Sequence, residues 1–117
     1  ADLIIDGLIG YSLKGSPRSK VSKLIHWANG SNTPILALDT PSGIDTTKGK
    51  VFSPTIRATA TMTLALPKAG LLSVDVTPFV GELYLADISV PPQLYSKPEL
   101  ALNVPPIFAT NDIIRIL

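Results

Sequence analysis

Residues 2–39, DLIIDGLIGYSLKGSPRSKVSKLIHWANGSNTPILALD, decide the fold. Asp2-Leu3-Ile4-Ile5-Asp6 is a short β-branched run closing on an acid, the pattern of a buried parallel strand. Three glycines then fall between Gly7 and Gly15. Ser16 is a good N-cap and Pro17 suits a first helical position, and Val21, Leu24, Ile25 and Ala28 recur at i, i+3, i+4 and i+7 until Gly30. That spacing predicts an amphipathic helix. Ile35–Leu38 is again apolar and again closes on an acid, Asp39, so the stretch reads as strand, glycine loop, helix, strand. Such a βαβ unit carries a right-handed crossover.

Working outward, Ala58, Ala60, Met62, Leu64 and Leu66 alternate with Thr59, Thr61 and Thr63, which predicts a strand over 58–66 that Pro67 ends. A fourth strand is expected over 81–88, after the turn signals at Thr77-Pro78. Five of the eleven prolines lie between residues 91 and 106, which predicts an extended surface connector. Asn111 to Leu117 is expected to start a helix. With 117 residues the chain is enough for one small domain. Its 45% apolar and 16% charged content, with a mean hydropathy of +0.33, is that of a folding chain and not a disordered one. A net charge of +1 supplies no global field toward nucleic acid or an anionic membrane. Scattered aromatics make no stacking platform for single strands, and no apolar run reaches the ~18 residues of a membrane span. The absence of Cys excludes thiol chemistry and is compatible with the reducing cytoplasm. Ala1 in place of an initiator Met, with a strand entered almost at once, suggests a piece of a longer chain whose domain is incomplete.

In open α/β sheets ligands gather outside the carboxyl ends of the strands. The first loop there, Asp6 to Ser16, combines glycines that allow close backbone approach with the N-terminus of the following helix. Lys14, Arg18, Lys20 and Lys23 add positive charge, and no acid lies between Asp6 and Asp39. An anion cradle and a plain glycine turn before a solvated basic face both fit this pattern. It matches neither a Walker loop nor the dinucleotide fingerprint. In the second loop, Asp39-Thr40-Pro41-Ser42-Gly43-Ile44-Asp45, Asp39 is read either as an acid/base group or as the acceptor of an Asx-type turn, and Asp45 as a local cap. The third loop, Pro67-Lys68-Ala69-Gly70, either presents another cation to the same crevice or merely turns the chain. Asp6 and Ser42 offer oxygen to a hard cation. The lone His26, beside Trp27, is read as a surface or packing residue.

Together these loops resemble the NAD(P)H-hydrate epimerase family, also known as the YjeF N-terminal domain. The matching stretches are residues 2–15, 34–45, 63–72 and 80–91, with the Asp-x-Pro-Ser-Gly-x-Asp turn and the Gly-x-x-x-Lys-Gly loop the most specific. The resemblance implies an α/β fold, a Rossmann-like three-layer α/β/α sandwich with a mainly parallel sheet. Residues 1–91 would be the C-terminal part of that domain, with 92–117 a Pro-rich connector and the possible start of a terminal helix or linker. It further implies interconversion of the R and S forms of NADHX and NADPHX, reduced nicotinamide nucleotides hydrated at C6, so that a partner dehydratase, separate or fused, repairs both. Carried over, Gly10, Tyr11, Ser12, Leu13, Lys14, Gly15 and Ser16 would hold the substrate, with Asp39 near the ring. Asp39 and Lys14 would be catalytic, and Asp6 and Ser42 would ligate a potassium ion. Ser12 departs from the second glycine common in the family, and the family's Asn- and Gly-rich loop is absent. Exposed sheet edges at a missing half would invite pairing, so either a partner segment or a homodimer is expected, with a cytoplasmic location and neither nucleic acid nor membrane as partner. Two alternatives stand beside the epimerase. The same fold serves as a binding module, in a decapping-enhancer scaffold and an apolipoprotein-binding homologue, and a bifunctional enzyme would carry an ADP- or ATP-dependent dehydratase as well.

Overall fold

A computed structural model of the chain describes residues 1–9, 15–65, 68–88 and 111–117. Ile4–Asp6 forms β1, Ser19–Gly30 α1, Ile35–Leu38 β2 and Ala60–Leu64 β5, with a hairpin of β3 (Ile44–Asp45) and β4 (Lys50–Val51) between the last two. A 3-10 turn at Ala69–Leu72 and a short α2 (Thr77–Val80) lead to β6 (Glu82–Ala86), and β7 is Ile113–Arg115. The main sheet runs β1-β2-β5-β6-β7. Its first four strands are parallel and β7 is antiparallel, so the mainly parallel sheet is as expected. The intended strand, helix, strand order over residues 2–39 is also present.

Partners in register share a face of a sheet. Asp6 pairs with Ala37, Ala37 with Thr61, and Thr61 with Leu83, so one face carries Ile35, Ala37, Thr61, Thr63, Leu83 and Leu85, all buried. Helix α1 covers one part of it, packing Ile25 and Ala28 on Ile35, Ala37, Ile56 and Ala58. Ile44, Leu71, Val76 and Val80 close over Leu83 in a second cluster on the same face. Gly81 makes the entry to β6 possible: its φ is +65°, and a Cβ there would lie 2.2 Å from the Thr59 carbonyl oxygen. On the other face Ile5 is 59% and Leu38 41% exposed, with Leu36, Met62, Leu64 and Tyr84 half-buried.

Several expectations need correction. Helix α1 begins at Ser19, with Arg18 in the N-cap position and no side-chain cap, so neither Ser16 nor Pro17 starts it. Pro17 is buried and serves packing, while Ser16 is exposed. Leu24, on the predicted apolar stripe, is 47% exposed, while the stripe meets the sheet through buried Ile25 and Ala28 and partly buried Val21. The strands over 58–66 and 81–88 shorten to Ala60–Leu64 and Glu82–Ala86.

The C-terminal residues form a strand, not a helix. Ile113–Arg115 pairs with β6, and Ile116 N–H donates to the Leu83 carbonyl at 2.7 Å. A helix of seven residues would be marginal alone, whereas the open edge of β6 offers backbone partners at once. Arg115 also reaches Glu82 at 3.4 Å, and Glu82 accepts from the Tyr84 hydroxyl at 2.9 Å. The end of the supposed connector is therefore part of the sheet. Its prolines between 91 and 106 lie outside the described residues.

Candidate functional site

Because β1, β2 and β5 are parallel, their carboxyl ends open on one rim, where Asp6, Asp39 and the segment after Leu64 emerge. Asp6 is buried and fully engaged. Its Oδ2 accepts from Ser42 N–H at 2.8 Å, and its Oδ1 accepts from the Ser42 hydroxyl at 2.7 Å and from Leu8 N–H at 3.2 Å. Ser42 Oγ in turn accepts from Ile9 N–H at 2.9 Å. The first loop is thus tied to the second through one carboxylate and one hydroxyl. Gly43 lets the second loop close, since its φ is +113° and a Cβ would meet Thr55 Oγ1 at 2.3 Å. Asp45 takes the local role expected of it, accepting from the N–H groups of Thr47 and Lys48 at 3.0 and 3.1 Å.

Asp39 does something else. Its backbone is left-handed, with φ +69°, and its N–H donates to the Met62 carbonyl at 2.8 Å. Among the described residues its carboxylate accepts no backbone N–H, so the Asx-turn alternative is not what the loop uses. Instead the Lys68 ammonium lies 2.5 Å from Asp39 Oδ1 and also donates to Thr63 Oγ1 at 3.0 Å. Of the two readings of the third loop, it is the cation at the crevice that the structure contains. Sequence reasoning offered Lys68 only as one of two readings of that loop and did not name Thr63 as a site residue. The signal was the register: Leu38 pairs with Met62, so the residue after β2 sits in the row of Thr63, close to whatever follows β5.

Gly10, Tyr11, Ser12, Leu13 and Lys14 lie outside the described residues. Gly15 and Ser16 are exposed, ahead of α1, and Arg18, Lys20 and Lys23 are exposed along its first turns with no acid among them. Helix dipole and side chains therefore place positive charge on this side. His26 is exposed and lines, with Asn29, Phe52, Arg57 and Phe79, a groove of about 530 Å³ to which no candidate site residue contributes.

For the implied potassium ion, the donor set is of the right kind. Asp6 and Ser42 are in direct contact and supply only oxygen, which suits a hard cation and not a soft metal. Among the described residues no group of three or more His, Cys, Asp or Glu forms a metal cluster. Thr40, in the same loop, has a buried hydroxyl without a hydrogen-bond partner among the described residues, a further oxygen that burial alone would leave costly by about 1–3 kcal/mol.

A mainly parallel sheet, with Asp6 and Asp39 at its strand ends, defines a Rossmann-like α/β protein. Its fold is shared with the crystal structure of yeast ynu0, YNL200c, at a TM-score of 0.75 and 20% identity, over 98% of this chain and 46% of the yeast one. Residues 1–70 match the family described as YjeF-related protein N-terminus, and the chain belongs to that family. A Dehalogenimonas lykanthroporepellens protein named NAD(P)H-hydrate epimerase is 43% identical over 116 residues, 99% of this chain and 45% of its own length. The Weissella koreensis protein of the same name is 38% identical over 86% of this chain and 47% of its own length. A Moorella thermoacetica protein named bifunctional NAD(P)H-hydrate repair enzyme Nnr is 37% identical over 80% of this chain and 18% of its own length. The chain thus spans about half the length of the epimerases it matches.

Proposed function

We propose that this chain carries part of the active site of an NAD(P)H-hydrate epimerase, an isomerase that interconverts the R and S forms of NADHX and NADPHX. The observation that carries the reading is Asp39: a carboxylate at the rim of a parallel sheet, on left-handed backbone, bonded to an ammonium that a buried hydroxyl anchors and, among the described residues, to no backbone N–H. The family and the names of the relatives agree with it.

C6 of the substrate bears a hydroxyl beside the ring nitrogen. In a ring-opening route Asp39 takes the hydroxyl proton, the C6–O bond becomes a carbonyl, and the C6–N1 bond breaks with its electron pair kept by nitrogen. The proton passes from the carboxylic acid to that nitrogen. Rotation and the reverse steps close the ring on the other face, with no net gain or loss of atoms. Departure of the hydroxyl as water, to an iminium-like species, is the other route and needs the same proton donor and acceptor. Gly10 to Ser16 would hold the nucleotide, with Lys14 on phosphate charge or assisting proton transfer. Asp6 and Ser42 would hold potassium. Bound there, the ion would supply a fixed positive charge beside the crevice.

The fused form is a second reading, favoured by relatives named as bifunctional repair enzymes. There a dehydratase on the same chain would consume the S epimer. A homodimer is part of the proposal, supported by the edge of β1, unpaired among the described residues, and by the exposed Ile5, Leu8 and Leu24 beside it. So is the cytoplasm, with which the absence of Cys is compatible. Among the described residues no helix is long and apolar enough to cross a membrane.

The test supplies one purified epimer to the protein, with potassium or with sodium, and follows the other by chromatography against the spontaneous rate. Asp39→Asn is expected to keep the fold and binding and to lose about 10²-fold or more of the acceleration. Undiminished epimerisation removes Asp39 from its role.

A further inference from the structure

The Asp39 carboxylate has two oxygens in unlike situations. Oδ1 is held by the Lys68 ammonium at 2.5 Å, and that ammonium is itself anchored on Thr63 Oγ1 at 3.0 Å. Oδ2 has no hydrogen-bond partner among the described residues. Thr63 is fully buried, and its hydroxyl accepts from Lys68. The Asp39 and Lys68 side chains remain 20% and 23% exposed, so solvent screens the pair and it contributes little to stability. Left-handed backbone at a non-glycine residue adds a local strain that the surrounding loop sustains. A buried hydroxyl, a positioned ammonium and strained backbone are thus spent on orienting a single carboxylate.

We infer that Lys68 is a positioning residue for Asp39: anchored by Thr63, it fixes Oδ1 and the carboxylate plane, leaving Oδ2 as the oxygen that exchanges a proton with the substrate. The inference rests on the epimerase reading and adds a residue to it. A carboxylate torsion is otherwise broad, and pre-setting it brings the reacting oxygen into line before the substrate arrives. The ammonium keeps its own protons throughout, so the proton balance of the reaction is unchanged.

The experiment measures kcat and KM for epimerisation by the intact protein and its Lys68→Met, Lys68→Arg and Lys68→Ala variants, with circular dichroism and melting as controls on the fold. Lys68→Met is expected to lower kcat by about 10- to 10²-fold with KM changed less than about threefold, because the interaction lost serves the transition state and not uniform binding. Lys68→Arg recovers part of the loss, and added methylammonium or ethylammonium raises the Lys68→Ala rate with saturation. A merely structural lysine would show no such rescue. A Lys68→Met protein with wild-type kcat overturns the inference, as does a loss that neither arginine nor an alkylammonium ion relieves. A wild-type protein that leaves both epimers at their spontaneous rate overturns the functional reading, and the inference with it; wild-type activity with an indifferent Lys68 overturns the inference alone.

Discussion

The two faces of the main sheet carry similar amounts of apolar side chain and meet different fates. On the inner face Ile35, Ala37, Leu83 and Leu85 are closed over by α1, the 3-10 turn and α2, and even the threonines there are buried. Thr61 donates to the Val80 carbonyl at 2.8 Å and Thr63 accepts from Lys68, so burial of each hydroxyl is compensated. The outer face presents Ile5, Leu36, Leu38, Met62 and Leu64, residues as apolar as a core, half-buried or exposed among the described residues. Beside it, Leu8, Leu24 and Trp27 line an apolar cleft of about 150 Å³ along β1. The difference teaches that in this chain apolar character marks what a sheet is built to cover, while burial records only what this stretch of chain covers by itself.

Three substitutions would break or sharpen that contrast. The largest effect is expected on the inner face, where Leu83→Ala removes a fully buried side chain from the cluster of Ile44, Leu71, Val76 and Val80. It should cost about 2–5 kcal/mol in urea unfolding. On the outer face Leu38→Ser, at a side chain 41% exposed, should change stability by no more than about 0.5 kcal/mol. A loss as large as that of Leu83→Ala would mean the outer face is covered in solution and would end the contrast. The smallest effect belongs to the sheet's far edge. There a hydrogen bond to Glu82 raises the Tyr84 phenol above its ordinary value of 10.0, with burial adding to it. The bond favours the neutral phenol, so Glu82→Gln should move the phenol's titration down toward the ordinary value, read as phenolate absorbance against pH. An unchanged midpoint would detach Tyr84 from Glu82.

The strand, helix, strand order over residues 2–39 and the acids at the strand ends were legible because periodicity and strand-end position are local properties. Asp45 was legible as a cap for the same reason. What misled was also local: Ser16-Pro17 has the chemistry of a helix start, yet the helix waits until Ser19. Asn111 to Leu117 read as the start of a helix, and the edge of β6 makes it a strand. Alternation over 58–66 separated apolar residues from threonines without saying which set faces inward, and it is Thr61 and Thr63 that do.

The sequence by itself determined the α/β class, the acids that end β1 and β2, and the loops that match the family, since each depends on neighbours in the chain. Only the tertiary structure decided that Asp6 closes on Ser42 and that Asp39 meets Lys68, itself anchored on Thr63. Those contacts join residues 36 and 29 positions apart in the first case and in the Lys68 pair. They arise from the register of parallel strands, which fixes distances that no local pattern encodes.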